Sequence, residues 1–306
     1  MSVETPDSIL VVADRTAADS ELLVKSARLA KHFGARVELL LCDSEHAYAL
    51  EHAYERSGVE TVRQHCVADA LAYLARLKSS ATAQGIEVSI DASCHSPLYE
   101  GIVHKVLASR PGLVIKSAGE VDARGRARFD ANDWQLLRAC PVTLMLTRGR
   151  RWRPRPRFAA AVDVSEEETE GLAKLIVQQA CSMARPCDGD LELLYAQSAG
   201  TPEAAARTHV AAMDRLLQRS HLEKSHVHIL AGEPERTLPA FARQRDYDVL
   251  VLGALTHRSE LTAMVGSLTS RLLDALDCDF VLVKPACYRS PLSRSCERSA
   301  EAGSGR

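Results

Sequence analysis

Two glycines and two hydroxyl residues in the C-terminal half of the chain have the spacing of a phosphate-binding loop. Gly253 follows an apolar run, Thr256 comes three residues later, and Gly266-Ser267 follows after nine more residues. A glycine directly after a buried strand lets a phosphate approach without meeting a Cβ atom. A second glycine ahead of a helix exposes backbone N–H groups to an anion, and the helix dipole reinforces that attraction. This spacing predicts phosphate chemistry, with Ser267 as a further hydroxyl donor.

An aspartate, Asp163, ends another apolar run of the same half. Open α/β sheets bind their ligands beyond the carboxyl ends of the strands, where the strand order reverses. We therefore expect Asp163 and Gly253 to face one crevice. A carboxylate in that position can accept hydrogen bonds from a ribose hydroxyl or an adenine amino group, so the loop becomes a candidate nucleotide site.

The secondary-structure elements that must position these residues occur twice along the chain. The recurring apolar runs, in the same order in both halves, are residues 9–14 and 158–163, residues 37–43 and 191–197, and residues 113–116 and 250–253. This repetition indicates that one domain has been duplicated.

The alternation of apolar runs with helical spacing predicts two Rossmann-like α/β domains, doubly wound, each with a five-stranded parallel sheet. Strands are expected at residues 9–13, 37–42, 86–92, 113–116, 142–147, 158–163, 190–196, 226–231, 248–252 and 279–284. Helices are expected at residues 17–33, 48–84, 97–109, from 131, and at 166–185, 202–223, 235–245 and 263–276. The predicted domain organisation is residues 1–148, a basic linker at 149–157, residues 158–291, and a disordered tail at 292–306.

Composition narrows the function classes. The 306 residues carry a net charge of -2, with 46% hydrophobic and 25% charged residues. This balance gives no global attraction to nucleic acid, and no apolar run approaches the roughly 20 residues of a membrane span. The first residues lack the pattern of a signal peptide, and nine cysteines without a C-x-x-C pair suit reduced thiols. We expect a cytoplasmic location.

These motifs resemble the universal stress protein family, whose nucleotide-binding members carry Gly-x2-Gly-x9-Gly-[Ser/Thr] after the fourth strand and an Asp ending the first. The resemblance implies that Asp163, Gly253, Gly266 and Ser267 bind a nucleotide. It also implies that the backbone of Ala196, at the end of the second strand, contacts adenine.

Further segments resemble the tandem members of that family, which carry two such domains in one chain. The turn Gly232-Glu233-Pro234 matches the family's turn after the third strand, and residues 133–141, Trp152 and residues 278–285 are similar to the tandem subgroup. The resemblance covers almost the whole chain.

Thr256 departs from the family pattern, since it replaces the middle glycine. If this position requires a positive φ, a β-branched residue is strained there by about 1–2 kcal/mol. If only its backbone N–H matters, threonine serves equally well. A purely structural interpretation is that Gly253 and Gly266 allow the loop and the helix to pack.

The first copy lacks the glycine motif. Lys116 stands in place of the first glycine, and Arg128 or Phe129 falls near the last pair. One interpretation is an anion site formed by basic side chains, namely Lys116, Arg124, Arg126 and Arg128. We favour the other, in which Lys116 pairs with Asp14 and neutralises a buried carboxylate, or the basic loop is simply solvated.

The segment Arg148–Arg157 contains six arginines and Trp152 in ten residues. In such a segment the arginines can bind phosphates and the tryptophan can stack on a base. We favour a solvated connector stiffened by two prolines, with Trp152 docked on a neighbouring domain, because the rest of the chain is not basic. Nucleic acid is therefore not an expected partner.

Other candidate chemistry is weaker. The residues considered are Cys94, His95 and His104 as a nucleophile or metal group, His221, His226 and His228 as metal ligands, and Tyr195 and His257 as crevice residues. The sequence suggests no third fixed ligand for either group, so no metal site is expected. Catalytic motifs are also lacking, so no catalytic residue is assigned.

The resulting prediction is a stress-response protein that binds ATP or a related nucleotide, with Mg²⁺ accompanying it, as a regulatory ligand of the second domain. It is not an enzyme, or at most a very weak ATPase. The resemblance implies that the two domains pair within the chain, with a homodimer as an alternative, and that an unknown protein partner responds to occupancy. The alternative function is a scaffold that binds a protein, an apolar or anionic ligand, or nucleic acid through the Arg-rich linker.

Overall fold

The computed structural model describes residues 6–52, 58–82, 85–118, 120–121, 127–165, 171–198, 200–223, 226–256 and 264–293. The chain divides into two compact units. Among the described residues, the first unit comprises those from Pro6 to Gly149 and from Tyr288 to Ser293, and the second comprises those from Arg150 to Cys287. In the described part of the chain, no helix has the length and apolar character needed to cross a membrane.

The first unit contains a five-stranded parallel sheet. Its strands are β1 (Ser8–Val12), β2 (Arg36–Cys42), β3 (Val88–Ser93), β4 (Leu113–Ser117) and, after the short hairpin of β5 (Glu120–Val121) and β6 (Ala127–Arg128), β7 (Thr143–Thr147). The order across the sheet is β7-β4-β1-β2-β3. The helices are α1 (Asp19–Phe33), α2 (Ser44–Glu51), α3 (Val59–Thr82), α4 (Leu98–Ser109) and α5 (Ala131–Ala139).

The second unit repeats this arrangement. Its strands are β8 (Arg157–Ala161), β9 (Asp190–Gln197), β10 (Val227–Ala231), β11 (Val249–Gly253), the hairpin of β12 (Leu255–Thr256) and β13 (Met264–Val265), and β14 (Asp279–Val283). The parallel order is β10-β9-β8-β11-β14. The helices are α6 (Leu172–Ala184), a 3-10 turn (Arg185–Cys187), α7 (Glu203–Ser220), α8 (Pro234–Arg245) and α9 (Ser267–Ala275).

The predicted doubly wound fold is confirmed in both units. Strand order reverses beside β1 in the first unit and beside β8 in the second, which places a crevice at the carboxyl ends of those strands. The inner strands are almost entirely buried, as Leu10, Val114, Ala160 and Leu250 show. Continuous apolar strands arise because helices cover both faces of such a sheet.

One predicted helix, residues 48–84, is instead two helices, α2 and α3. The Asp43 side chain accepts a hydrogen bond from the backbone N–H of His46 and so starts α2 directly after β2. Gly58, just before α3, has a φ of 93°, which an α-helix cannot accommodate. The capping aspartate and the glycine are therefore the physical reasons for the difference.

The arginines of the expected linker lie against the second unit. Arg150 contacts Asp246 at 2.7 Å and Arg153 contacts Asp248 at 2.8 Å. The guanidinium of Arg150 lowers the pKa of Asp246 by donating a hydrogen bond to it. Trp152 is buried and donates its indole N–H to Asp279 at 2.7 Å. Trp152 is thus docked, but the segment is not the expected solvated connector, since Arg150 and Arg153 pair with carboxylates and residues from Arg150 onward belong to the second unit.

The end of the chain differs in part from the expected tail. The backbone N–H and the hydroxyl of Ser293 both donate to the carbonyl oxygen of Ser290, which closes a turn at 290–293. Residues 294–306 lie outside the described part of the chain.

Candidate functional site

The predicted site residues of the second unit lie at one edge of its sheet. Ala196 lies near the end of β9, Asp163 follows β8, and Gly253 ends β11. These three strands are neighbours, and all three run parallel. Gly266 directly precedes α9, at the end of the hairpin that follows β11. The topology therefore collects the predicted residues at the carboxyl end of the sheet.

The Asp163 carboxylate is open to solvent. Its Oδ1 atom accepts a hydrogen bond from the backbone N–H of Ser165 at 2.9 Å, and the residue is exposed. Its negative charge also acts on Tyr195, whose pKa is raised mainly by burial. The Tyr195 hydroxyl lies 2.7 Å from Nδ1 of the buried His209, so this tyrosine is held beneath α7. His257, the other expected crevice residue, lies outside the described residues.

Gly253 is explained at least in part by packing. A Cβ atom on this glycine would lie 2.9 Å from Cδ2 of Leu172, at the start of α6. Its carbonyl oxygen accepts a hydrogen bond from the Thr269 hydroxyl at 3.0 Å, which joins the end of β11 to the first turn of α9. Packing is therefore one reason for a glycine here, but a Cβ atom would meet only the movable end of the Leu172 side chain.

Gly266 is the N-cap of α9, with φ of -63° and ψ of 147°. Any residue adopts this conformation, so the important property of the glycine is its missing side chain. Because glycine has no side chain, the cap provides no acceptor for the backbone N–H groups in the first turn of α9. Gly266 itself is buried.

Ser267 does not present a free hydroxyl to the crevice. Its Oγ atom donates to Oε1 of Glu235 in α8 at 2.5 Å. A phosphate at the start of α9 would have to replace this acceptor, and it would also meet the negative charge of Glu235.

The backbone of Thr256 does not carry the strain considered for it. Thr256 pairs with Met264 in the antiparallel hairpin of β12 and β13. Strand residues have negative φ, which threonine adopts readily. The replacement of the middle glycine therefore costs no left-handed backbone conformation.

The corresponding crevice of the first unit contains an internal cation. The Lys116 ammonium lies 3.1 Å from Oδ2 of Asp14 and 3.0 Å from Oδ1 of Asp133. Lys116 and Asp133 are fully buried. Burial alone would lower the pKa of Lys116, but the attraction of Asp133 and Asp14 raises it overall. The structure thus contains the favoured Lys116–Asp14 pair and adds Asp133, which sequence reasoning missed.

The start of α5 in the first unit contains an internal anion. Asp130 accepts the backbone N–H of Asp133 at 2.7 Å, and Asp133 accepts that of Asp130 at 3.1 Å, a reciprocal capping box. A capping aspartate three residues before another acidic residue was the available sequence signal. In the alternative anion site, Arg124 and Arg126 lie outside the described residues, while Arg128 is in β6.

Among the weaker candidates, three histidines contact neighbouring side chains. His228 contacts Glu192 at 3.0 Å, and the ring centroids of His95 and His104 are 5.0 Å apart. A different cluster, which sequence reasoning missed, places ligand atoms of Asp43, His46 and Cys66 within 4.8 Å of one another. The only sequence signal was Asp-x-x-His at the end of a strand, because Cys66 belongs to the next helix.

Comparisons with known proteins agree with this architecture. Residues 157–284 match the model of the universal stress protein family. The chain is 24% identical to universal stress protein E of Photorhabdus laumondii over 95% of this chain and 98% of that protein. It is 22% identical to universal stress protein E of Escherichia coli K12, over 93% and 96% of the two chains.

Solved structures show the same fold. A structure from Pseudomonas aeruginosa UCBPP-PA14, assigned to the universal stress proteins, superposes with a TM-score of 0.74 at 23% identity, covering 92% of this chain and 95% of that chain. A universal stress protein from Archaeoglobus fulgidus has a TM-score of 0.67 at 14% identity, covering 95% and 98%. Residues 157–284 thus form a universal stress protein domain, in a chain that resembles universal stress protein E over nearly its whole length.

Proposed function

We propose that the second unit binds ATP or a related nucleotide as a regulatory ligand, in a cytoplasmic stress-response protein that is not an enzyme or is at most a very weak ATPase. The nucleotide would lie at the carboxyl ends of β8, β9 and β11. Asp163 would accept hydrogen bonds from the ribose or adenine, and the backbone of Ala196 would contact the adenine. The phosphates, with Mg²⁺, would lie against Gly253, Thr256 and the Gly266-Ser267 turn.

The observation that carries this proposal is a contrast between the two units. In the first unit, the Lys116 side chain forms an ion pair with Asp14 in the crevice, and the Asp130 carboxylate caps the N-terminus of α5. In the second, the corresponding carboxylate, Asp163, faces solvent, and the corresponding cap, Gly266, has no side chain. The second unit therefore combines, at one edge of its sheet, an exposed acceptor for hydroxyl or amino groups with a helix start whose cap contributes no side-chain acceptor.

Such a site can act without catalysis. Mg²⁺ would screen the phosphate charges when bound. A ligand that binds one conformation more tightly than another shifts the population by that difference alone, and a protein partner can then respond to the favoured form. This mechanism needs no general base.

The experiment is a thermal unfolding series of the purified protein with ATP, ADP or AMP, with and without Mg²⁺. At 100 times its dissociation constant a ligand adds about 2.7 kcal/mol of stability, which corresponds to a rise of several degrees in Tm. We expect a rise that depends on the number of phosphates. Equal melting curves with and without millimolar nucleotide would contradict the proposal and favour the scaffold function.

Glu235→Gln is expected to tighten nucleotide binding by roughly tenfold, which is about 1.4 kcal/mol. The substitution keeps an oxygen that can accept the Ser267 hydroxyl and removes a negative charge beside the phosphate position. Isothermal titration with ATP measures the change. The matched control is Glu203→Gln, an exposed residue of α7 paired with Arg207, for which affinity should stay unchanged. Equal affinities for Glu235→Gln and the parent would place the phosphates away from α9.

A further inference from the structure

The first unit contains a second group of chemically active side chains, which are not members of the Lys116 ion pairs. It lies where β2 ends and α2 begins, against the neighbouring α3. The side chains of Asp43, His46 and Cys66 each direct a potential ligand atom to the same place, and those atoms all lie within 4.8 Å of one another. From this geometry we propose that Asp43, His46 and Cys66 form a Zn²⁺ site with three protein ligands and one position open to solvent.

The donor set suits zinc. Zn²⁺ takes thiolate, imidazole and carboxylate ligands at bonds of about 2.0–2.3 Å, so the ligand atoms of a tetrahedral centre lie about 3.3–3.8 Å apart. The Nδ1 atom of His46 already lies 3.0 Å from both carboxylate oxygens of Asp43. A metal ion would take the place of the proton between these two groups, so this pair needs little rearrangement.

The three ligand side chains differ in how freely they can move, so the cluster can adjust around a metal ion. The Asp43 side chain is 9% exposed and is fixed by accepting the backbone N–H of His46. Cys66 is buried in the middle of α3. The His46 side chain is 56% exposed and can rotate to close the remaining gap. Contraction of the cluster to bonding distance would therefore need rotation of His46 together with a small change in the side-chain rotamer of Cys66.

The local charge also favours a cation. Asp43 and Asp69 both act on Cys66 as negative charges, while Arg15 lies 3.9 Å from Asp43 as the competing positive group. Arg15 is one-third exposed and its contact with Asp43 is long for an ion pair, so an arriving ion can displace it. Zinc binding would release the proton of the Cys66 thiol, and His46 would bind as a neutral ring through Nδ1 with its proton on Nε2.

The test is titration of the full-length metal-free protein with Zn²⁺ in competition with a chromogenic chelator, and with Co²⁺ to detect thiolate ligation by its charge-transfer absorption. We expect one ion per chain. Each of Asp43→Asn, His46→Gln and Cys66→Ser should weaken zinc affinity by at least about tenfold, the lower limit for loss of even an outer-shell partner. The cobalt–sulfur absorption should disappear in Cys66→Ser.

Matched controls separate this site from general binding by exposed thiols and imidazoles. His65→Gln changes an exposed histidine one residue from Cys66, and Cys287→Ser changes an exposed cysteine of the second unit. Neither should alter zinc affinity. Absence of binding, binding that the three ligand variants leave unchanged, or binding lost in the controls instead would overturn the proposal.

Discussion

Replacement of Lys116 by methionine is expected to lower the free energy of unfolding by about 3–5 kcal/mol, the usual cost of removing one partner from a buried ion pair. The Lys116 ammonium lies between Asp14 and Asp133, and neither Lys116 nor Asp133 has access to solvent. Methionine fills a similar volume, so the loss measures the uncompensated carboxylates rather than a cavity. Urea denaturation followed by circular dichroism measures it.

Two further variants identify the cause of this loss. Lys105→Met removes another lysine of the same unit that contacts two carboxylates, Glu38 and Asp91, but near the surface, where about 0–1 kcal/mol is expected. Adding Asp133→Asn to Lys116→Met removes the buried negative charge and keeps an oxygen for the helix cap, so it should restore more than half of the loss. If the double variant is as unstable as Lys116→Met alone, the charge explanation is wrong.

The parts of the fold that sequence reasoning predicted are those encoded by local pattern. Apolar runs of five to seven residues are buried strands in the structure because helices cover both faces of the sheet. The same periodicity missed the boundary between α2 and α3, since that boundary depends on one capping side chain, Asp43, and on the conformation of Gly58. The periodicity of apolar residues does not reveal single residues that cap a helix or adopt a special backbone conformation.

The candidate site was likewise predictable from the sequence only in part. That Asp163 and Gly253 would lie at one edge follows from the parallel topology, which requires only strand order. The pairing of Lys116 with Asp133 was not predictable in this way, because it depends on how α5 packs against the end of β4. The contact of Ser267 with Glu235 likewise joins two helices far apart in sequence. Side-chain partners across elements require the tertiary structure.

The two units therefore differ in where the charges of the crevice come from. The first unit supplies both charges from its own side chains, and burial of Lys116 with Asp133 makes that ion pair part of its core. The second unit has an exposed carboxylate, Asp163, at one position and a buried glycine without a side-chain charge, Gly266, at the other. A single substitution at the start of α9 should make the second unit resemble the first in this respect.

Gly266→Asp is expected to weaken ATP binding by at least about a hundredfold without destabilising the protein. At 4 Å and an effective dielectric constant of about 20, a carboxylate and a phosphate charge repel by about 4 kcal/mol, where every 1.4 kcal/mol is tenfold in affinity. The new carboxylate would accept the N–H groups of the first turn of α9, as Asp130 does in α5. Aspartate is as good an N-cap as glycine or better by a few tenths of a kcal/mol, so the melting temperature without ligand should stay equal or rise slightly.

The opposite directions of these two effects make Gly266→Asp informative, because a misfolded variant would lose both binding and stability. Gly266→Asn is the matched control, since asparagine has nearly the same shape, caps the helix equally well and carries no charge. It should retain much more affinity than Gly266→Asp in titration calorimetry with ATP and Mg²⁺. If asparagine abolishes binding as completely as aspartate, the volume of the side chain at position 266 excludes the nucleotide, and charge repulsion is not the cause. If both variants bind ATP as tightly as the parent, the phosphates do not lie at the start of α9, and the contrast between the two units has a structural origin alone.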